Sequence, residues 1–142
     1  MNISAKTEYA CIAVLELAAC AGSQEPVRIK QIADKHGIPS RFLVQILLQL
    51  KGAGLVTSTR GAAGGYQLAK DPRKITLLDV MSVIEGPPTD EASGGSQASA
   101  VSRVLWRTWK RIAKAQRQML DDITFAELVE KVKGPSEAMY YI

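Results

Sequence analysis

Apolar positions recur at helical spacing from the start of the chain. Over residues 4–21, Tyr9, Ile12, Ala13, Leu15, Leu17 and Ala18 form one broad apolar face. Gly22-Ser23 interrupts it and Pro26 blocks its continuation, so a first helix ends there. Residues 28–36 predict a short second helix with Ile29, Ile32 and Ala33 inward and Gly37 at its end. Pro39 then stands where a third helix begins, because a first-turn proline loses no hydrogen bond. That helix runs over 39–52. Leu43, Ile46, Leu47 and Leu50 fall on one stripe, and Arg41, Gln45, Leu48 and Gln49 fall opposite.

The period then changes. Residues 55–60 are β-branched and polar by turns, and 66–69 alternate, with Gly61-Ala62-Ala63-Gly64-Gly65 between them. This is a hairpin that Asp71-Pro72 ends. Helical spacing returns over 76–85, with Leu77, Val80, Met81 and Ile84 apolar. Thr76 and Asp79 have the spacing of a capping box. Residues 86–99, rich in Pro, Gly, Ser and acids, predict a mobile loop. A long helix is expected over about 100–120, with Val101, Leu105, Trp109, Ile112 and Met119 along one side. Thr124 caps a short last helix over 125–132, which Gly134-Pro135 ends.

Composition narrows the class. A chain of 142 residues with 46% apolar and 23% charged residues suits a folded domain rather than a disordered one. No run of membrane-spanning length is free of charge, and residues 1–6 lack the apolar stretch of a secretion signal. A cytoplasmic protein is therefore expected. Two cysteines cannot build a disulfide framework. The charge is uneven: residues 1–74 carry a net +5, residues 75–99 a net −4 and residues 100–142 a net +3, within a total of +4. A basic first half is compatible with a polyanionic partner.

Helix, helix, turn, helix and hairpin within about 70 residues is the order of a winged helix-turn-helix. The expected fold is mainly α, with a two-stranded wing and a long C-terminal helix. Residues 1–75 form the DNA-binding part, and 76–142 a second region that holds the long helix. In such a fold the third helix enters the major groove, so Ser40, Arg41, Val44 and Gln45 would reach base edges. Arginine pairs bidentately with guanine and glutamine with adenine. Arg60 at the wing would meet a phosphate or the minor groove. Lys6, Lys30, Gln31, Lys51 and Ser58 are candidate backbone contacts. Gly61, Gly64 and Gly65 would let the wing backbone approach phosphates, and mainly serve the turn itself. Tyr66 would stack there or pack the wing on the third helix. Each basic residue has a plainer reading as solvated surface charge.

The sequence also resembles a known family. The stretches Ile38-Pro39-Ser40-Arg41-Phe42-Leu43-Val44-Gln45-Ile46-Leu47, Leu50-Lys51-Gly52-Ala53-Gly54-Leu55-Val56 and Ser58-Thr59-Arg60-Gly61-Ala62-Ala63-Gly64-Gly65-Tyr66-Gln67-Leu68 resemble the Rrf-two family of bacterial transcription regulators. The openings Ile3-Ser4-Ala5-Lys6-Thr7-Glu8-Tyr9-Ala10, Ile75-Thr76-Leu77-Leu78-Asp79-Val80 and Ile123-Thr124-Phe125-Ala126-Glu127-Leu128 are similar to its other signatures. The resemblance implies a homodimer in which the long C-terminal helix is a dimerisation helix that crosses its partner. It implies that residues 76–142 form the effector loop and dimerisation region, and that the dimer binds double-stranded DNA at a roughly palindromic operator, as a repressor in the first instance. The apolar stripe Val101, Leu105, Trp109, Ile112 and Met119 suits that crossing.

One departure matters. Many members sense through an iron–sulfur cluster held by three cysteines in the loop before the long helix. Residues 86–100 contain none, so no cofactor is expected in this chain. Asp90 and Glu91 are hard donors and poor substitutes. Cys11 and Cys20 are nine residues apart on one expected helix, on opposite faces and about 13.5 Å apart along the axis, so they cannot chelate one metal. They read as small buried or half-buried side chains. Two explanations fit Ala92, Ala98 and Ala100 in that loop. One is a naturally cluster-free branch that answers to a small molecule or a partner protein. The other is a sequence whose ligand cysteines have been replaced. The alternative function is a winged-helix module whose third helix docks a protein. Catalysis is not expected, since the glycine-rich turn lacks a Gly-Lys-Ser/Thr ending and one histidine supplies no triad.

Overall fold

The computed structural model of the chain describes residues 1–86 and 99–140, the last six as backbone only. Helix α1 (Ala5–Ala19) is followed by α2 (Ile29–His36) and α3 (Ser40–Gly52). Strands β1 (Val56–Thr59) and β2 (Gly65–Leu68) come next. A single 3-10 turn (Pro72–Lys74) then leads into α4 (Leu77–Glu85), α5 (Ala100–Asp122) and α6 (Phe125–Tyr140).

The helix boundaries have local causes. Ser4 caps α1 by accepting the Thr7 amide at 3.2 Å. Gly37 closes α2 in the left-handed region at φ 64°, where a side chain would be strained. Thr76 accepts the Asp79 amide at 3.2 Å and Asp79 accepts the Thr76 amide at 3.0 Å, the expected capping box. Thr124 accepts the Glu127 amide at 3.2 Å at the start of α6. Pro39 occupies the N-cap of α3, and no side chain caps it.

One hydrophobic cluster holds α1, α2, α3, α4 and α6 together. Ala10, Ala13, Val14 and Leu17 of α1 meet Leu43, Ile46, Leu47 and Leu50 of α3. Val80 of α4 and Phe125 and Val129 of α6 belong to the same cluster. Phe125 is fully buried. Its amide donates to the Ile75 carbonyl at 2.9 Å and the Leu77 amide donates to the Ile123 carbonyl at 3.0 Å. That small bridge clamps the start of α6 beside the start of α4.

Two expectations are corrected. The last helix does not stop at Gly134-Pro135 but continues to Tyr140. A proline inside a helix removes one backbone bond and adds a clash, and this raises the cost of the helix without forbidding it. The hairpin ends before Asp71-Pro72 as expected, and Asp71 there caps a 3-10 turn by accepting the Arg73 amide at 2.9 Å. Cys20 is exposed in the turn closing α1, while Cys11 is half-buried as expected. The loop read over 86–99, with Asp90, Glu91, Ala92 and Ala98, falls mostly outside the described residues. No described helix is long and apolar enough to cross a membrane.

Candidate nucleic-acid interface

The amphipathic division of α3 presents the candidate recognition residues. Its four buried leucine and isoleucine residues face the core, which leaves Ser40, Arg41, Val44, Gln45 and Gln49 exposed. Phe42, Val44 and Leu48 are exposed on the same helix. The Arg41 guanidinium lies 5.4 Å from the centre of the Phe42 ring, a cation–π distance. Phe42 was not singled out from the sequence, because its spacing on the helix does not separate a lateral position from a buried one.

The wing is a two-stranded antiparallel hairpin in which Val56 pairs with Leu68 and Thr59 with Gly65. A third segment joins it: the Val27 amide donates to the Tyr66 carbonyl at 2.9 Å and the Tyr66 amide to the Val27 carbonyl at 2.8 Å. Isolated residues such as Val27 carry no strand period, so only the fold reveals this rung. Tyr66 is half-buried against the core, which fits packing of the wing.

The glycines at the tip have distinct tasks. The Gly64 amide donates to the Gly61 carbonyl at 3.0 Å and closes a tight turn. Gly61 has φ 104°, a region that side chains avoid. A Cβ on Gly64 would strike the Thr59 carbonyl oxygen, and one on Gly65 would meet the Val27 carbonyl oxygen. Both contacts are backbone, so they cannot yield by rotating a side chain. Arg60 leaves β1 at this tip and is exposed.

The remaining candidates divide. The Lys51 ammonium donates to the Ser58 hydroxyl at 2.7 Å, so these two are joined to each other and tie the end of α3 to β1. The Gln31 amide oxygen accepts the Arg28 backbone N–H at 2.9 Å and is committed to starting α2. Lys30 is exposed beside it, and Lys6 is half-buried on α1. Arg28, Lys30 and Gln31 line one open cleft with Ala63 of the wing tip. Arg28 was missed in the sequence because it stands at a helix boundary, outside any amphipathic pattern.

Along α5, no residue is buried. Val101, Val104, Leu105, Trp109, Ile112 and Met119 are all exposed, from 47% for Ile112 to 71% for Val101. Trp106 instead is half-buried, with the Lys110 ammonium 4.8 Å from its ring. Among the described residues no cluster of His, Cys, Asp and Glu could hold a metal ion.

A helix-turn-helix pair with an exposed second helix and a glycine-tipped wing defines a winged-helix DNA-binding transcription regulator. The chain belongs to the Rrf2 family: that family's model, described as an iron-dependent transcriptional regulator, matches residues 3–131. Among curated relatives, the HTH-type transcriptional regulator CymR of Bacillus subtilis (strain 168) is 36% identical over 145 residues, covering 100% of each chain. The regulator IscR of Vibrio campbellii is 31% identical over 132 residues, covering 92% of this chain and 78% of its own. The solved structure of CymR, described as the global cysteine regulator of B. subtilis, superposes with a TM-score of 0.81 at 34% identity, covering 92% of this chain and 98% of that one. The T. potens IscR structure gives 0.76 at 33% identity, over 93% and 88%. These relatives are named as transcriptional regulators, not enzymes.

The family description names iron, and the residues present do not fit an iron–sulfur cluster. Residues 86–100 contain no cysteine. Of the two cysteines elsewhere, Cys11 is half-buried on α1, and burial, then the charges of Glu8 and Glu85, push its thiol up to about 11. A protonated thiol is a poor ligand.

Proposed function

We propose that this chain acts as a homodimeric repressor on a palindromic operator, without an iron–sulfur cluster, and responds to a small molecule or a partner protein in the cytoplasm. Residues 1–75 hold the DNA and residues 76–142 carry the effector loop and the dimer contact. The exposed side of α3 carries this reading. Arg41 and Gln45 would read base edges, Val44 would meet a thymine methyl, and Ser40 would reach a base or phosphate at the first turn. Arg60 would enter a neighbouring groove, with Gly61, Gly64, Gly65 and Tyr66 shaping the wing. Lys6 and Lys30 would hold the backbone, while Gln31, Lys51 and Ser58, engaged within the fold, would reach it only with their remaining donors.

The dimer reading is supported by α5. Val101, Leu105, Trp109, Ile112 and Met119 form a stripe too large and too apolar to stay wet. A two-fold axis through crossed α5 helices would present two α3 helices to two half-sites, which is why a palindrome is expected.

Selection of binding sites from a random duplex pool, followed by anisotropy at two salt concentrations, tests the reading. The expected result is a palindromic site bound as a dimer, with affinity falling steeply with salt through counterion release. Absence of enrichment would overturn it. A second reading, a protein-docking module, draws on the exposed Phe42, Val44 and Leu48 of α3. Its signature would be weak DNA binding at any salt together with salt-insensitive capture of a protein.

A further inference from the structure

A small groove lies among α1, the end of α2 and α6, lined by none of the proposed DNA contacts. Its walls are Leu15 and Ala19 of α1 and Val129 and Val132 of α6, and its volume is about 280 Å³. Val129 is buried, whereas Val132 is 63% exposed, an unusual position for valine on the surface of a helix. The slot thus has an apolar floor and one apolar wall that nothing in the described chain covers.

Its rim is charged. Glu16, Lys35, His36 and Lys133 surround the opening. The Glu16 carboxylate is already served: Lys35 lies 2.9 Å and the His36 Nε2 2.7 Å from its Oε1. Among the described residues Lys133 has no acidic partner. One carboxylate therefore faces two ammonium groups and an imidazole, and the surplus is positive. The volume is at the small end for ligand sites and is too small for a nucleotide or a large coenzyme.

We infer that this groove binds a medium-chain carboxylate, its hydrocarbon laid along Leu15, Ala19, Val129 and Val132 and its head between Lys133 and Lys35. An apolar slot with a positive rim matches an amphipathic anion on both counts. A neutral apolar molecule would leave the rim cations without a counter-charge. A small polar anion would leave the slot wet. The site ties α1 and α2 of the DNA-binding part to α6, so its occupant would bridge the two halves of the chain.

Calorimetry of the full chain with octanoate, hexanoate and octanol, without DNA, tests this. Octanoate is expected to bind saturably with one site per chain. Each fully buried methylene contributes about fourfold in affinity, so hexanoate should bind roughly tenfold more weakly in this open slot. Lys133→Gln should weaken octanoate by about fivefold and leave octanol unchanged. Val132→Asp should abolish octanoate binding. Both side chains are exposed, so an unchanged melting temperature is expected in each variant. No saturable heat would overturn the proposal. Equal affinity for octanoate and octanol would overturn it as well, as would variants that bind like the parent. Because no DNA is present, failure here leaves the proposed operator binding untouched.

Discussion

Arg60 and Arg41 occupy different chemical positions, and their substitution should separate. Arg60 is exposed at the hairpin tip, and in the proposed binding mode its partner would be a phosphate or a groove wall. Arg60→Ala should weaken binding on every sequence and lower the salt slope by about 1. Arg41 stands on the exposed side of α3 and should read a base. Arg41→Ala should relax preference at one base pair at a cost of about 1–3 kcal/mol. Anisotropy on operator and random duplexes distinguishes the two, and equal losses on both for Arg41→Ala would remove its role in readout. Gly65 acts through the backbone. Its added Cβ would collide with the Val27 carbonyl, so Gly65→Ala should break the Val27–Tyr66 rung and destabilise the fold by about 1–3 kcal/mol, visible in urea titration. The two thiols differ likewise. Cys20 is exposed, whereas Cys11 is half-buried with its thiol held up to about 11. At pH 8 a disulfide reagent should modify Cys20 promptly and Cys11 slowly, and two equal fast phases would contradict this.

At the scale of elements, α5 carries the sharpest expectation. Its apolar stripe is exposed over several turns in a single chain. Trp109→Glu combined with Ile112→Asp should convert a dimer to a folded monomer, since neither side chain belongs to the core. Sedimentation would read the mass and circular dichroism the retained helix content. A parent that is itself monomeric at the same concentration would overturn the dimer. α4 shows another kind of joint. At its last residue Glu85 accepts the Thr7 hydroxyl at 2.7 Å and the Ser4 hydroxyl at 2.9 Å, fastening it to the start of α1.

For the whole molecule, acid stability follows from such joints. Hydrogen bonds from Thr7 and Ser4 hold the Glu85 carboxyl below its ordinary range. For Glu16, burial pushes upward, but the bonds from Lys35 and His36 outweigh it and the net shift is downward. A carboxyl lowered in the fold stabilises fully above its unfolded pKa, and that contribution is lost as pH falls through the lower folded value. The melting temperature should therefore drop on the acid side of about pH 4.5, and Glu85→Gln should make that drop slightly shallower, because solvent screens the exposed Glu85. An unchanged acid limb in Glu85→Gln would count against the joint. Arg73 holds Asp71 down to about 2, but Arg73 is exposed and the pair lies within one turn, so it joins no separate elements and contributes little to folding.

Much of this protein was determined locally, and that part was legible. The stripe Leu43, Ile46, Leu47 and Leu50 has a period that only a half-buried helix satisfies, and the structure buries all four. The capping box of Thr76 and Asp79 spans three residues and needs no distant partner. The glycines between the strands signalled the hairpin, because a turn of that geometry rejects side chains. Other features depended on contacts between segments far apart in sequence. The Val27 rung, the fastening of Glu85 to Ser4 and Thr7 and the pairing of Lys51 with Ser58 join residues whose spacing carries no period. The continuation of α6 past Pro135 runs against its local breaker. The groove between α1 and α6 exists only because Phe125 is buried against the core and sets α6 beside α1. A sequence specifies the faces of its elements through periodicity, and the packing of those faces decides which side chains from separate elements come to lie together.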